Sequence, residues 1–211
     1  MTINTNCNKL NNPWVIWYHN PSDNNWDIKS YHNLYEINTV EDYCKFENTR
    51  KIHLPKLSES MFFIMRKLNE YEYVYPMWED ENNKQGGCWS FKINSESIEE
   101  IWKILTIYLI GENLGTNVTN SLNINGMSIS PKKGFCIVKI WNNDSNDNDV
   151  LEIINNKLGS YIDLDTCFYK SHVENISKDQ KKREKREKFL KMKDRNTHTH
   201  RHRNKNWSKK N

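Results

Sequence analysis

The chain of 211 residues lacks the common signatures of catalysis. It has no G-x-x-x-x-G-K-[ST] phosphate loop, no G-x-S-x-G elbow, no H-E-x-x-H zinc helix and no G-x-G-x-x-G fingerprint. Cysteines are few and odd in number: Cys7, Cys44, Cys88, Cys136 and Cys167, with no close pair. That spacing excludes a disulfide framework or a zinc site and fits a reducing, cytoplasmic compartment. The N-terminus "MTINTNCNKL" has no basic region followed by an apolar run, so no secretory signal is expected. No apolar run approaches the length of a membrane span, and no internal repeat is visible. Neither a cofactor nor a metal is expected. His19, His32, His53 and His172 form no recognisable pairing, and the alternating His198, His200 and His202 read as low-complexity tail.

Aromatic residues, by contrast, are abundant: eight Trp, ten Tyr and seven Phe. Eight Trp exceeds what one core of this size needs, so some of the rings are expected at a surface where flat ligands stack. The net charge of +4 conceals a division. Residues 178–211 hold fifteen Lys and Arg against four Asp and Glu, a net of +11, which leaves the first 177 residues at −7. A body of that sign does not attract nucleic acid by bulk charge; a local constellation would have to do so. The division suggests a flexible segment over 1–12, one domain over 13–177, and a basic tail over 178–211 that is disordered or partly helical through Glu184–Lys188 and Glu187–Lys191 pairs.

Periodicity places the elements. Residues 14–19, 26–37, 61–68, 88–93 and 165–172 read as strands. Residues 39–46 read as a short helix, with Thr39 as N-cap and Asp42 completing a capping box. A second helix starts with a Ser97–Glu100 box and stops at Gly111. Its Ile98, Ile101, Trp102, Leu105 and Leu109 form a core stripe. Ile104 and Ile107 lie off that stripe and either widen it or form an exposed patch for a partner. Residues 149–159 read as a third helix. A hairpin over 125–141 turns at Lys133-Gly134. Period two puts Ile129, Cys136, Val138 and Ile140 on one face, and Ser128, Ser130, Lys132, Lys139 and Trp141 on the other. Lysines alone on such a face read first as an ordinary solvated surface. The whole reads as an α+β domain with an antiparallel sheet and helices on one face.

The stretch "YPMWEDENNKQGGCW" (75–89) sets Trp78 against Glu79, Asp80 and Glu81, ahead of a Gly86-Gly87 turn signal. The triplet has no His or Cys nearby, which disfavours a metal cluster. A carboxylate accepts well from two adjacent donors, and the Watson–Crick edge of guanine offers a ring N–H and an exocyclic NH₂. Adenine offers an acceptor at the ring position instead, a mismatch costing about 1–3 kcal/mol. A neighbouring Trp can stack the same base, more strongly if that base is cationic.

"TVEDYC" (39–44), "PMWEDENNKQGGCW" (76–89), "IWKILTIYLIGE" (101–112), "IVKIW" (137–141) and "YKSH" (169–172) together resemble the eukaryotic translation initiation factor 4E family, the messenger RNA 5′ cap-binding proteins. The resemblance covers about residues 10–177. It implies one curved antiparallel sheet of about eight strands with three helices on the convex face. It also implies a monomer without enzymatic activity that binds 7-methylguanosine. By position it makes Trp26 and Trp78 the stacking pair, Glu79 the guanine-reading carboxylate, and Trp141 the residue beside the methyl group. The Trp78 backbone N–H would meet the guanine carbonyl, and Lys132 would bind phosphate. Trp14, Trp17, Trp89 and Trp102 match structural tryptophans.

Four positions depart from the family. Its second phosphate-binding basic residue aligns with Ile137, for which Lys139 on the same strand face is a substitute. A further basic residue is Cys88 here. The Trp that anchors scaffold factor 4G, through a Y-x-x-x-x-L-φ helix, is Cys44, and a Leu of that dorsal patch is Lys103. Val40, Cys44, Lys103, Ile104 and Ile107 are therefore the candidate partner surface, for scaffold factor 4G or a repressor protein. An initiation factor and a cap-binding repressor share every ligand residue and differ only there; an enzyme acting on nucleotides is the third reading.

Overall fold

The computed structural model describes residues 7–115, 117–147, 158, 162, 166–182, 184–186, 188–189 and 192. Contacts divide the chain into a unit ending at Val173 and a second beginning at Glu174. In the second, the described residues are helical. The expected helix over 149–159 lies outside the described residues apart from Leu158, as do Glu187, Lys191 and His198, His200 and His202.

The first unit is built on a single open antiparallel sheet, an α+β arrangement. Its strands are β1 (Lys9–His19), β2 (Tyr31–Thr39), β3 (Met61–Arg66), β4 (Gly87–Asn94), β5 (Ile124–Lys132), β6 (Phe135–Asn142) and β7 (Phe168–Ser171). They lie in the order β2-β1-β3-β5-β6-β4-β7. The helices are α1 (Val40–His53), α2 (Ile98–Ile110) and the short α3 (Val118–Leu122).

Because side chains alternate along a strand, each face of the sheet gathers its own cluster. One face packs Trp14, Ile16, Phe62, Ile64, Trp89, Phe91, Ile129 and Val138 against Tyr43 and Phe46 of α1 and Ile98, Ile101, Trp102, Leu105 and Leu109 of α2. The other gathers Val15, Trp17, Tyr31, Phe63, Met65, Val74, Cys88 and Trp141. The α2 stripe is thus buried as its spacing predicts. Ile104 and Ile107 divide the two alternatives: Ile104 packs on the core edge, while Ile107 is 47% exposed. The helices are tied by buried Arg50 of α1, which donates to Glu47 and, across to α2, to Glu99. Among the described residues no helix is long and apolar enough to cross a membrane.

Several elements differ from the sequence reading. β1 begins at Lys9, inside the segment expected to be flexible. Lys9 pairs with Thr39, and the Asn8 carbonyl accepts from Val40 N–H. The strand expected over 26–37 begins only at Tyr31. Asp23, Asn25 and Asp27 instead make consecutive side-chain-to-backbone turns, Asp23 accepting from Asn25 N–H and Asn25 from Asp27 N–H. Such local bonds compete with a ladder. A single 3₁₀ turn at Ile28–Ser30 follows. The Thr39–Asp42 box forms as expected, but α1 runs on to His53. The Ser97 box does not form, because Ser97 already has helical backbone angles (φ −93°, ψ −4°) and its side chain makes no capping bond. Gly111 ends α2 without a left-handed conformation (φ −83°). That conformation falls on Glu112 (φ +57°), whose carboxylate pairs with buried Arg66 at 2.7 Å. The 125–141 hairpin holds in register: Lys132 pairs with Phe135 and Ser128 with Lys139. Gly134 takes φ +81° in the two-residue loop, where a side chain would be strained.

Candidate ligand-binding site

The second face of the sheet is where the candidate ligand residues meet. The loop between β3 and β4 carries Trp78 and Glu79 over it, and its polar side chains fasten it in place. Buried Asn83 donates to the carbonyls of Tyr75 (2.8 Å) and Met77 (2.9 Å). Asn125 of β5 in turn donates to the Asn83 side chain (2.9 Å) and the Asn82 carbonyl. Asp80 accepts from the N–H groups of Tyr75 and Asn82. Glu81 pairs with Lys84. The three carboxylates therefore have different fates. Of the three, Glu79 alone makes no hydrogen bond or ion pair among the described residues, and it is exposed at the surface.

The expected Gly86-Gly87 turn is a tight packing site instead. A Cβ at Gly86 would lie 1.9 Å from the Asn142 carbonyl oxygen, and Gly87 already opens β4. Side chains cannot fit there, so the loop returns to the sheet at a fixed point.

Trp78 is half-buried and packs on the cluster that includes Trp141. Lys139 of β6 extends over it, with Nζ 5.8 Å from the ring centroid. Trp141 is buried, and its Nε1–H donates to Ser128 Oγ (3.0 Å), which fixes the indole. His172 lies against that indole at 4.9 Å between centroids. Burial, and then the Lys139 charge, lower the His172 pKa to about 4, with the Gly87 backbone opposing more weakly. Its ring therefore stays neutral at pH 7.

Trp26 stands on the loop before β2, 46% exposed. Buried His19 stacks beneath it at 4.2 Å, the planes only 2° apart. His19 is itself placed by a 2.8 Å contact between Nε2 and the Asn25 carbonyl. Tyr31 adjoins both rings. Burial, and then the Glu79 charge, hold the Tyr31 phenol well above its ordinary range. Glu79 therefore acts on the Trp26 side of the face while Trp78 packs on the Lys139 side. Lys132 is exposed at the hairpin end, on the same sheet face but beyond this cluster. Ile137, as expected, offers no charge.

Two basic residues escaped the sequence reading. Lys170 of β7 pairs with Cys88, which pairs in turn with Trp141. Burial pushes the Cys88 thiol up, while the Lys139 and Lys170 charges pull it back, so both cations reach the position that lost its own. Lys92 of β4 pairs with Ile137. Only the register between strands distant in sequence brings these residues together. The structural tryptophans are where expected, all buried: Trp14, Trp89 and Trp102 on the helical face and Trp17 beside Tyr73 and Tyr75. On the opposite side of the sheet, Val40 (43% exposed), Cys44 and Lys103 face solvent with Ile107. No group of three or more His, Cys, Asp or Glu capable of holding a metal exists among the described residues.

This arrangement has clear relatives. Initiation factor 4E-2 of Schizosaccharomyces pombe is 26% identical over 174 residues, spanning 77% of this chain and 66% of that protein, just under two thirds of its length. The solved complex of Caenorhabditis elegans eIF4E-3 with the 4E-binding protein Mextli and a cap analogue superposes with a TM-score of 0.63 at 21% identity, over 81% of this chain and 96% of that one. Ascaris suum eIF4E-3 with m7G cap gives 0.54 at 24% identity, over 66% and 75%. The sequence profile described as Eukaryotic initiation factor 4E matches residues 9–187, from the first residue of β1 to beyond β7, and the chain belongs to that family.

Proposed function

We propose that this chain binds the 7-methylguanosine 5′ cap of messenger RNA and acts in translation initiation. The observation that carries the reading is the unpaired Glu79 carboxylate beside half-buried Trp78, in a loop whose other two carboxylates, Asp80 and Glu81, are already bonded. In this reading Trp78 and Trp26 stack on the base and Glu79 accepts from its ring N–H and amino group. The Trp78 backbone N–H meets the guanine carbonyl, and Trp141 lies beside the methyl group. Lys139, already poised over Trp78, takes phosphate in place of the residue lost at Ile137, and Lys132 takes the distal phosphates. The Schizosaccharomyces pombe relative is an initiation factor, and the Ascaris suum protein was solved with m7G cap.

A second reading, a cap-binding repressor, draws on the dorsal face. A partner helix from scaffold factor 4G or a repressor would meet Val40, Ile104 and Ile107 there. Cys44 and Lys103 offer it less apolar area and an added charge.

Titration of Trp fluorescence with 7-methylguanosine triphosphate and with GTP tests the proposal. Tighter binding of the methylated nucleotide is expected, since a cationic base adds cation–π attraction to stacking. Equal affinities, or no quenching by either, refute it.

A further inference from the structure

β4, β5, β6 and β7 contain no Asp or Glu and one lysine each: Lys92, Lys132, Lys139 and Lys170. The register places all four on the same face. Lys139 pairs with Ser128 and Ser90, Lys170 with Cys88, Lys92 with Ile137 and Lys132 with Phe135; every partner is of the Trp141 parity. This acid-free field lies in a body whose first 177 residues carry a net −7. Lysines are common on edge strands as a guard against edge-to-edge pairing, which could account for Lys170 on β7. The same guard extends to Lys92, because among the described residues β7 pairs only with Gly87–Ser90 and leaves the Lys92 end of β4 open on that side; the aromatic rings set among the lysines are what edge protection does not explain.

The same face also exposes aromatic rings. Phe168 pairs with Ser90, two strands across from Lys139, and is 57% exposed. Two strand spacings make that separation about 10 Å. Phe135 lies under Lys92, with Nζ 4.4 Å from its centroid. An exposed ring interleaved with lysines is the surface that single-stranded nucleic acid uses, bases stacking on the rings and phosphates meeting the cations.

We propose that this face, continuing from Lys139 across Phe168 and Lys92, binds the first nucleotides of the RNA chain that follow the cap, with Phe168 stacking a base and Lys92 and Lys170 meeting phosphates. The proposal rests on the cap-binding reading above. It assigns to this chain a track that discriminates capped RNA from the free cap nucleotide.

The test uses the full chain, so that the basic tail contributes equally to every variant. Affinities are measured for 7-methylguanosine triphosphate and for a capped RNA hexanucleotide, with the parent and with Phe168→Ala and Lys92→Ala. The parent should bind the capped hexanucleotide about tenfold more tightly than the nucleotide alone. Each substitution should remove most of that gain and leave the nucleotide affinity unchanged, whereas Phe168→Tyr and Lys92→Arg retain the gain. Lys92→Ala should also lower the salt slope for the hexanucleotide by about 0.7. A parent that binds the nucleotide but gains nothing from the RNA overturns the track alone. So does a gain that survives both alanine substitutions, or an equal loss for both ligands. A parent that binds neither ligand refutes the cap-binding reading itself, and the track with it.

Discussion

His172 joins the stability of the fold to the ligand face. Its pKa is lowered from 6.5 to about 4, by burial first and by the Lys139 charge second. The folded protein therefore binds fewer protons than the unfolded chain between those values. Stability from this residue is complete above the window and is lost as pH falls through it. Between pH 7.5 and pH 5 the loss is about 2 kcal/mol, before most carboxylates begin to titrate. His172→Phe keeps a ring against Trp141 and removes the titration. Urea denaturation at half-unit steps from pH 7.5 to pH 5 should show the parent losing that increment and His172→Phe losing little of it. A triphosphate seated on Lys139 would neutralise one of the two causes, so saturating nucleotide should raise the histidine's pKa and flatten the parent's decline. Equal slopes for the parent and His172→Phe would refute the account of a buried neutral ring.

Further outcomes follow from the site geometry. Glu79→Ala should abolish the preference for guanine over other bases, whereas Trp78→Ala should weaken every capped nucleotide by the loss of about 1–3 kcal/mol of stacking; calorimetry with capped guanosine and capped adenosine analogues separates the two, and unchanged guanine binding by Glu79→Ala rejects its role. Lys139→Ala should weaken the triphosphate form more than the monophosphate and reduce the salt dependence of binding, with an unchanged salt slope counting against Lys139 as the replacement for Ile137. Cys44→Trp should improve binding of a Y-x-x-x-x-L-φ peptide several-fold, because the indole adds apolar contact at about 25 cal/mol per Å². Tight binding by the parent with no gain would show that Cys44 is no handicap.

Local chemistry was legible in the sequence at several single segments, although the equally local Ser97–Glu100 box does not form. The Thr39–Asp42 box needs four consecutive residues, and the 125–141 hairpin needs one turn and an alternating pattern; both form as read. The stripe of α2 was equally clear because 3.6-residue spacing is intrinsic to one helix. The failures lie where a distant or competing bond decides. Trp26 looked like part of a strand because W-D-I-K alternates, yet Asp23, Asn25 and Asp27 bond locally and lift the indole onto His19. Lys92 and Lys170 could not be placed on this face from the sequence, because their rows with Ile137 and with Cys88 join strands far apart in the chain. His172 gave no sign of its neutral state, which depends on burial against β6.

The W-E-D-E segment shows how a polar motif can divide its labour. A loop dense in carboxylates would ordinarily consume them in its own turns, since Asp and Asn bond readily to nearby backbone. Here Asp80 meets two backbone N–H groups, Glu81 is neutralised by Lys84, and Asn83 holds two carbonyls while Asn125 holds it from the sheet. With those bonds made, the loop does not need Glu79 to keep its shape. A carboxylate released from structural duty can face a ligand without being desolvated by its own fold, and its substitution alters recognition rather than stability. The separation implies that neighbouring positions of the loop serve the site indirectly. Replacing Asp80 would release the Tyr75 and Asn82 N–H groups, which then compete for Glu79, and selectivity would be lost through a residue that never touches the base.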